Sequence, residues 1–144
     1  MKKVFGKIIL VDDDKGEKHL LELALKEKNW DIDIDHYMNA EDALEHLKAY
    51  KKEEIFLIIS DLDMPGMNGL DFKKAIDSNK DLRKKAIPFI FASSIATKEQ
   101  VAEAFDYRVQ GYFKKPMTIN EQAEILDTIM KYWVIGRHPN VGRD

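Results

Sequence analysis

The sequence contains no cysteine, and this absence excludes several kinds of chemistry at once. Disulfide bonds, thiolate metal ligands and cysteine nucleophiles are all ruled out. Long apolar runs are also missing, since the first run, residues 8–11, is ended by three aspartates. Neither a signal peptide nor a membrane-spanning helix is therefore predicted, and a cytoplasmic protein without a membrane partner is favoured.

An excess of positive charge is lacking as well. The chain has 23 basic and 26 acidic residues and a net charge of −3. Because nucleic-acid binding depends on neutralising many phosphates, we expect no nucleic-acid partner. The length of 144 residues allows one domain with a substantial core. We predict that domain over residues 1–133, followed by a short, loosely structured tail over residues 134–144.

Five short apolar runs alternate with longer amphipathic stretches. Runs this short, rich in isoleucine and flanked by turn residues, are typical of β-strands. The stretches between them have helical periodicity, and several begin with a capping residue such as Asn39 or Thr97. The order βαβαβαβαβα predicts an α/β fold, a parallel sheet with helices on both faces. The second run alternates with aspartates, which is typical of an edge strand.

Polar side chains follow four of the five predicted strands. Asp12 and Asp13 follow the first, Asp61 the third, Ser93 the fourth and Lys115 the fifth. In such sheets the carboxyl ends of the strands meet at one edge, where ligands bind. Clustered carboxylates suit Mg²⁺, and a carboxylate can attack phosphorus to give an acyl phosphate. A lysine and a hydroxyl can stabilise the charge of the transferring group.

These residues lie in four motifs that resemble the receiver domain of two-component response regulators. The resemblance covers about residues 7–133, and its motifs occur in the family's order. It implies a flavodoxin-like, doubly wound sheet of five parallel strands in the order 2-1-3-4-5, in a single-domain, non-enzymatic signalling protein. The motifs are Val11-Asp12-Asp13, residues 58–69 with Asp61-x-x-Met64-Pro65-x-Met67-x-Gly69, Ala92-Ser93-Ser94 and Lys114-Lys115-Pro116.

The resemblance also implies a metal-assisted phosphoacceptor site. Asp61 would accept a phosphoryl group from a histidine kinase or a histidine phosphotransfer protein. Mg²⁺, or Mn²⁺ in its place, would be bound by Asp13 and Asp61, with Asp12 acting mostly through water. The backbone carbonyl of Asp63 would complete the metal site.

The remaining implied roles concern the response to phosphorylation. Lys115 would pair with the phosphoryl oxygens, and Ser93 would move to hydrogen-bond them. Tyr112 would be the aromatic switch that turns inward when Ser93 moves. The peptide bond before Pro116 is usually cis in this family. The output would be altered binding to a downstream protein that the sequence does not identify.

Two other functions remain open at this point. Asp61-Leu62-Asp63 after an apolar strand resembles the opening of haloacid-dehalogenase-type phosphatases, in which two aspartates act as nucleophile and general acid/base. That alternative leaves Asp12 and Asp13 without a role. The other alternative is a receiver-like interaction module that works without phosphorylation.

Overall fold

The computed structural model describes residues 1–141, which form five strands and six helices. The strands are β1 (Lys2–Val11), β2 (Trp30–Tyr37), β3 (Ile55–Ser60), β4 (Phe89–Ser93) and β5 (Gly111–Lys114). The helices are α1 (Glu17–Glu27), α2 (Ala40–Ala49), α3 (Gly69–Ser78), α4 (Lys80–Lys85), α5 (Lys98–Asp106) and α6 (Ile119–Ile135). None of these helices is both long and apolar enough to cross a bilayer.

The strands form one parallel sheet in the order β2-β1-β3-β4-β5. The predicted flavodoxin-like, doubly wound fold is therefore confirmed. Every residue of the central strand β3 is buried, as its continuous apolar run indicates. The strand that alternates with aspartates, β2, lies at an edge and keeps Asp33 exposed.

Two apolar cores cover the two faces of the sheet. On one face, α1 and α6 pack against residues of β1 and β3 such as Ile8 and Leu57. On the other, residues from α2 to α5 pack against alternate residues of the same strands, such as Ile9 and Ile58. The alternation within each strand places successive side chains in different cores. This arrangement fixes the strand ends that hold the polar residues described below.

The structure differs from the prediction between β3 and β4, where two helices replace the single one expected. The additional helix, α4, has six residues and a single buried side chain, Leu82. Its start is capped by Asn79, whose side chain accepts a hydrogen bond from the Leu82 N–H. A helix this short and charged carries almost no apolar periodicity, so its pattern could not be separated from the preceding helix.

The first strand also departs from the prediction. β1 begins at Lys2 rather than near Ile8, with an irregularity between Lys3 and Lys7. Within it, Gly6 has a φ of +89°, and a Cβ there would lie 2.8 Å from Val141 Cγ2. Only glycine fits both the backbone conformation and this close approach.

The expectation of a loosely structured tail is wrong for residues 136–141. His138 Nε2 donates a hydrogen bond to the Phe56 carbonyl at 2.6 Å, and its ring stacks on the Phe56 ring. Asn140 Nδ2 donates to the Ile55 carbonyl at 2.8 Å. These hydrogen bonds therefore attach the segment to the amino-terminal end of β3. The rest of the predicted tail, residues 142–144, lies outside the described residues.

Candidate functional site

The polar residues predicted to converge do lie together at the carboxyl ends of β1, β3 and β5. The backbone fixes their positions, because Asp61 N–H donates to the Val11 carbonyl at 2.9 Å and Lys115 N–H donates to the Ser93 carbonyl at 2.8 Å. We call Asp12, Asp13, Asp61 and Lys115 the acidic rim. Asp12 is buried, Asp61 and Lys115 are half-buried, and Asp13 is exposed to solvent.

Three carboxylates of the acidic rim are close enough to share one cation. One oxygen each from Asp12, Asp13 and Asp61 lies within 4.8 Å of the other two. An all-oxygen set with one solvent-facing member fits Mg²⁺, which binds carboxylates while keeping several waters. Asp63 follows in the loop after β3 with its side chain exposed.

Lys115 is the cation of the acidic rim. Its Nζ lies 2.8 Å from Asp12 Oδ2 and 3.6 Å from Asp61 Oδ2. Burial acts to lower the pKa of Lys115, but the hydrogen bond to Asp12 and the charges of Asp12, Asp61 and Glu17 outweigh it and raise that pKa. Lys115 is therefore held as an ammonium between the two carboxylates.

Asp61 occupies a less favourable electrostatic environment. Burial raises the pKa of its carboxyl group, Lys115 acts to lower it, and the neighbouring Asp12 raises it further. The hydrogen bond that Leu62 N–H donates to Asp61 Oδ1 at 2.8 Å only partly offsets these effects. The ionised form of Asp61 is thus only partly compensated by the residues around it.

Sequence reasoning missed one acidic residue of the site, Glu17. It begins α1, and its Oε1 lies 3.9 Å from Lys115 Nζ. The pKa of Glu17 is raised, chiefly by burial, because the lowering effect of Lys115 does not offset burial and the charge of Asp12. A glutamate in the first turn of a helix has an ordinary explanation in the helix dipole, so the sequence carries no signal that singles it out.

The predicted switch residues lie beside the acidic rim. Ser93 is buried, and its Oγ accepts a hydrogen bond from the Ile95 N–H at 3.2 Å. The Tyr112 hydroxyl donates to the Ile95 carbonyl at 2.6 Å, while its ring lies 6.1 Å from that of Phe91. Ser93 and Tyr112 therefore bond to the same loop residue, one through its N–H and the other through its carbonyl.

Two glycines shape the loop that carries Asp61. A Cβ on Gly69 would lie 2.4 Å from the Asp61 carbonyl oxygen, so α3 can begin this close to the strand end only with glycine there. Gly66 has a φ of +75°. The adjacent Met67 N–H donates to Glu41 Oε2 at 3.2 Å, which ties the loop to α2.

The peptide bond before Pro116 differs from the resemblance-based expectation. Residues 1–141 contain no cis peptide bond, so the expectation of a cis form is wrong for this structure. The trans form of an X–Pro bond is favoured by about 0.5–1 kcal/mol in the absence of other constraints. Lys115 reaches Asp12 with the bond in the trans form.

A second group of possible metal ligands comprises Asp35, His46 and Glu53. Lys7 Nζ lies 2.9 Å from Asp35 Oδ2 and 3.2 Å from Glu53 Oε1. His46 Nε2 lies 3.0 Å from Glu53 Oε2. This cluster is an internal ion-pair network in which Lys7 lies between the two carboxylates and His46 contacts one of them, whereas in the acidic rim a single ammonium faces the three carboxylates of Asp12, Asp13 and Asp61.

Comparisons with known proteins give consistent matches. The response regulator receiver domain family matches residues 8–127. Chemotaxis protein CheY-3 of Vibrio cholerae is 32% identical over 125 residues, which cover 87% of this chain and 92% of that protein. The phosphorylated cyanobacterial phytochrome response regulator RcpA has a TM-score of 0.77 at 23% identity, covering 91% of this chain and 95% of that one.

A solved complex of CheX and CheY with BeF₃ and Mg²⁺ from Borrelia burgdorferi also matches. Its TM-score is 0.71 at 19% identity, with 89% of each chain covered. At these identities, both solved structures bear on the fold alone. The family match spans β3, β5 and the carboxyl-terminal part of β1, and these are the three strands whose carboxyl ends hold the acidic rim.

Proposed function

The chain belongs to the response regulator receiver domain family, and we propose that Asp61 is its phosphoacceptor in a Mg²⁺-dependent signalling reaction. The observation that carries this proposal is the position of Lys115, whose ammonium lies 3.6 Å from Asp61 and 2.8 Å from Asp12. These distances support the proposal, because a carboxylate that attacks phosphorus needs a nearby cation to stabilise the charge of the transferring group.

The metal would be held by Asp13, Asp12 and Asp61, with the backbone carbonyl of Asp63 as a further oxygen ligand. This donor set suits Mg²⁺, or Mn²⁺ in its place, since each ligand is a hard oxygen. When bound, the ion would neutralise charge on the transferring phosphoryl group. It would also offset the repulsion among carboxylates that contributes to the raised pKa of Asp61.

In the proposed transfer, one Asp61 carboxylate oxygen donates an electron pair to phosphorus and forms an O–P bond. The bond between phosphorus and the donor's imidazole nitrogen breaks, and that nitrogen keeps the electron pair and takes up a proton. Lys115 donates hydrogen bonds to the phosphoryl oxygens and remains protonated throughout. Water later attacks the acyl phosphate and releases phosphate, which restores the Asp61 carboxylate.

The response would begin at Ser93. Its hydroxyl now accepts from the Ile95 N–H, and donation to a phosphoryl oxygen would pull this loop towards Asp61. Tyr112 would then lose its present hydrogen bond to the Ile95 carbonyl and turn inward. Only contacts that differ between the two states can shift such an equilibrium, and this loop offers two of them.

The proposed partners are a histidine kinase or a histidine phosphotransfer protein as donor and a separate protein as target. In the solved Borrelia burgdorferi complex, CheY is bound to CheX, and a protein target for the present chain would be a partner of the same general kind. We assign this role to residues 1–133, with residues 134–144 as an attached segment. The proposed location is the cytoplasm.

Chemical labelling tests the central assignment. Acetyl phosphate with Mg²⁺ should add one phosphoryl group to the parent protein, detected by intact mass. Asp61→Asn should not be labelled, whereas Asp33→Asn, a matched change at an exposed position of β2, should be labelled like the parent.

The outcomes separate the alternatives. Equal labelling of Asp61→Asn would contradict the proposal. Repeated turnover of a phosphomonoester would instead favour the phosphatase. A target that binds Asp61→Ala and the labelled parent equally well would favour an interaction module that works without phosphorylation.

A further inference from the structure

Glu17 contributes a carboxylate to the acceptor site that neither the predicted metal set nor the predicted switch includes. It shares one cavity with Asp12, Asp61 and Lys115 at the carboxyl ends of the strands. Its side chain is 18% exposed, less than that of Lys115 at 23%, so solvent screens its charge only in part.

The charges around this cavity are unbalanced. Lys115 lies within 4 Å of Asp12, Asp61 and Glu17, and it forms the only ion pair that any of the three makes within residues 1–141. One ammonium thus faces three carboxylates. A bound Mg²⁺ would offset the charge of its proposed ligands Asp12, Asp13 and Asp61. Glu17 is not one of these ligands and lies beside Lys115 instead.

Glu17 acts on Lys115 by charge rather than by fixing its position. Asp12 holds the ammonium through a hydrogen bond of 2.8 Å, while Glu17 Oε1 is 3.9 Å away, beyond hydrogen-bond distance. Loss of the Glu17 charge would therefore leave Lys115 in place. It would also free the ammonium from one competitor for the incoming phosphoryl oxygens.

We infer that Glu17 is a specificity-determining residue that disfavours small dianionic phosphoryl donors. The inference rests on the proposed role of Asp61. Glu17 repels a donor in proportion to the donor's negative charge and competes with that donor for Lys115. A protein donor can compensate with contacts elsewhere on the surface, whereas a small molecule cannot. The result would be a low background of phosphorylation without a cognate kinase.

The test compares two small donors that differ in charge. Acetyl phosphate is dianionic near neutral pH, and phosphoramidate carries one net negative charge. The measured quantity is the ratio of the apparent second-order labelling rates with these donors, in Mg²⁺, followed by intact mass. The variants are Glu17→Gln, Glu17→Asp and Glu22→Gln, the last being the same charge change at an exposed position of α1.

Glu17→Gln should raise the acetyl phosphate to phosphoramidate ratio by about three- to tenfold, the range for one partly screened charge at short distance. The ratio for Glu17→Asp, which retains the charge, should be close to that of the parent. The ratio for Glu22→Gln should equal that of the parent. A merely structural defect would slow both donors together and leave the ratio unchanged.

The inference is overturned if the ratio is the same in Glu17→Gln and the parent while both are labelled. If neither donor labels the parent or Glu17→Gln, the phosphoacceptor proposal fails as well, and the inference fails with it. The two failures are therefore distinguishable in one experiment.

Discussion

The side chains of Asp61 and Asp127 are similarly exposed, at 13% and 12%, yet their environments shift their pKa values in opposite directions. The pKa of Asp61 is raised, chiefly by burial. The pKa of Asp127 is lowered, chiefly by the hydrogen bond from Lys131 and then by that from Trp30. Asp61 lies at the carboxyl end of the sheet, and Asp127 bonds to Trp30, the first residue of β2, at the amino end.

The difference lies in how far hydrogen bonds and nearby cations offset the effect of burial at each carboxylate. Asp127 accepts from Trp30 Nε1 at 2.8 Å, lies 2.9 Å from Lys131 Nζ and is 3.9 Å from Lys2 Nζ. Asp61 instead shares its one ammonium with Asp12. The amino end of the sheet therefore stabilises the fold, while the carboxyl end keeps a carboxylate whose negative charge is incompletely compensated.

Removing the Asp127 carboxylate should give the largest change in stability. Asp127→Ala should lower the free energy of unfolding by about 2 kcal/mol, because Trp30 Nε1 loses its acceptor in a buried position. The measurement is urea unfolding followed by far-UV circular dichroism. Asp106→Ala, at an exposed position at the end of α5, is the control and should change little. If Asp127→Ala were as stable as the parent, Asp127 would not stabilise the fold and the contrast with Asp61 would fail.

The tail contact should have the next largest effect. His138→Ala should lower the free energy of unfolding by about 1 to 2 kcal/mol, because the ring stacks on Phe56 and its nitrogens bond to backbone groups of residues 56, 140 and 141. The same urea series measures it, with His19→Ala on the exposed side of α1 as control. Equal stability of His138→Ala and the parent would show that this segment does not stabilise the domain.

The smallest expected change has the opposite sign. Asp61→Asn should raise the free energy of unfolding at neutral pH by roughly 1 kcal/mol, the usual scale of a single substitution. The reason is that the folded state holds ionised Asp61 less well than the unfolded chain does. Thermal unfolding without divalent metal measures it, with Asp33→Asn as the matched control.

The pH dependence of the stability gained by Asp61→Asn follows from the raised pKa of Asp61. As pH rises from the ordinary value of 3.8 through the folded-state pKa, the parent loses stability that the variant keeps. The advantage of Asp61→Asn should therefore be full at neutral pH and vanish as the pH falls below 3.8. For Asp127, whose pKa is lowered, stabilisation is instead present above 3.8 and lost on acidification. An advantage of Asp61→Asn that grows on acidification would contradict the assignment.

The carboxyl end of the sheet can be predicted from the sequence because strand ends in a parallel sheet fall on one edge. The five apolar runs alone lead us to expect Asp12, Asp61 and Lys115 to meet there, and they do. Glu17 escapes such reasoning, because its contact with Lys115 depends on where α1 begins relative to β5. That distance is a tertiary property with no local signature.

The amino end is predicted less well for a related reason. His138 and Asn140 bond to carbonyl groups of β3, more than 80 residues away along the chain. A segment with glycine and proline and little periodicity is typical of a loose tail. The tail segment is ordered by two features at the amino end of the sheet, the space beside Gly6 and the face of the Phe56 ring. Neither feature can be recognised from a linear sequence pattern.

The positions of the two tryptophans have an optical consequence. Trp30 is bonded to Asp127, and Trp133 lies 5.7 Å from the His138 ring, so both indoles are at the end of the molecule remote from Asp61. Intrinsic fluorescence should consequently report the docking of the tail and respond little to metal or beryllofluoride at the acidic rim. A chromophore that reports the state of the acidic rim would therefore have to be introduced at that end of the sheet.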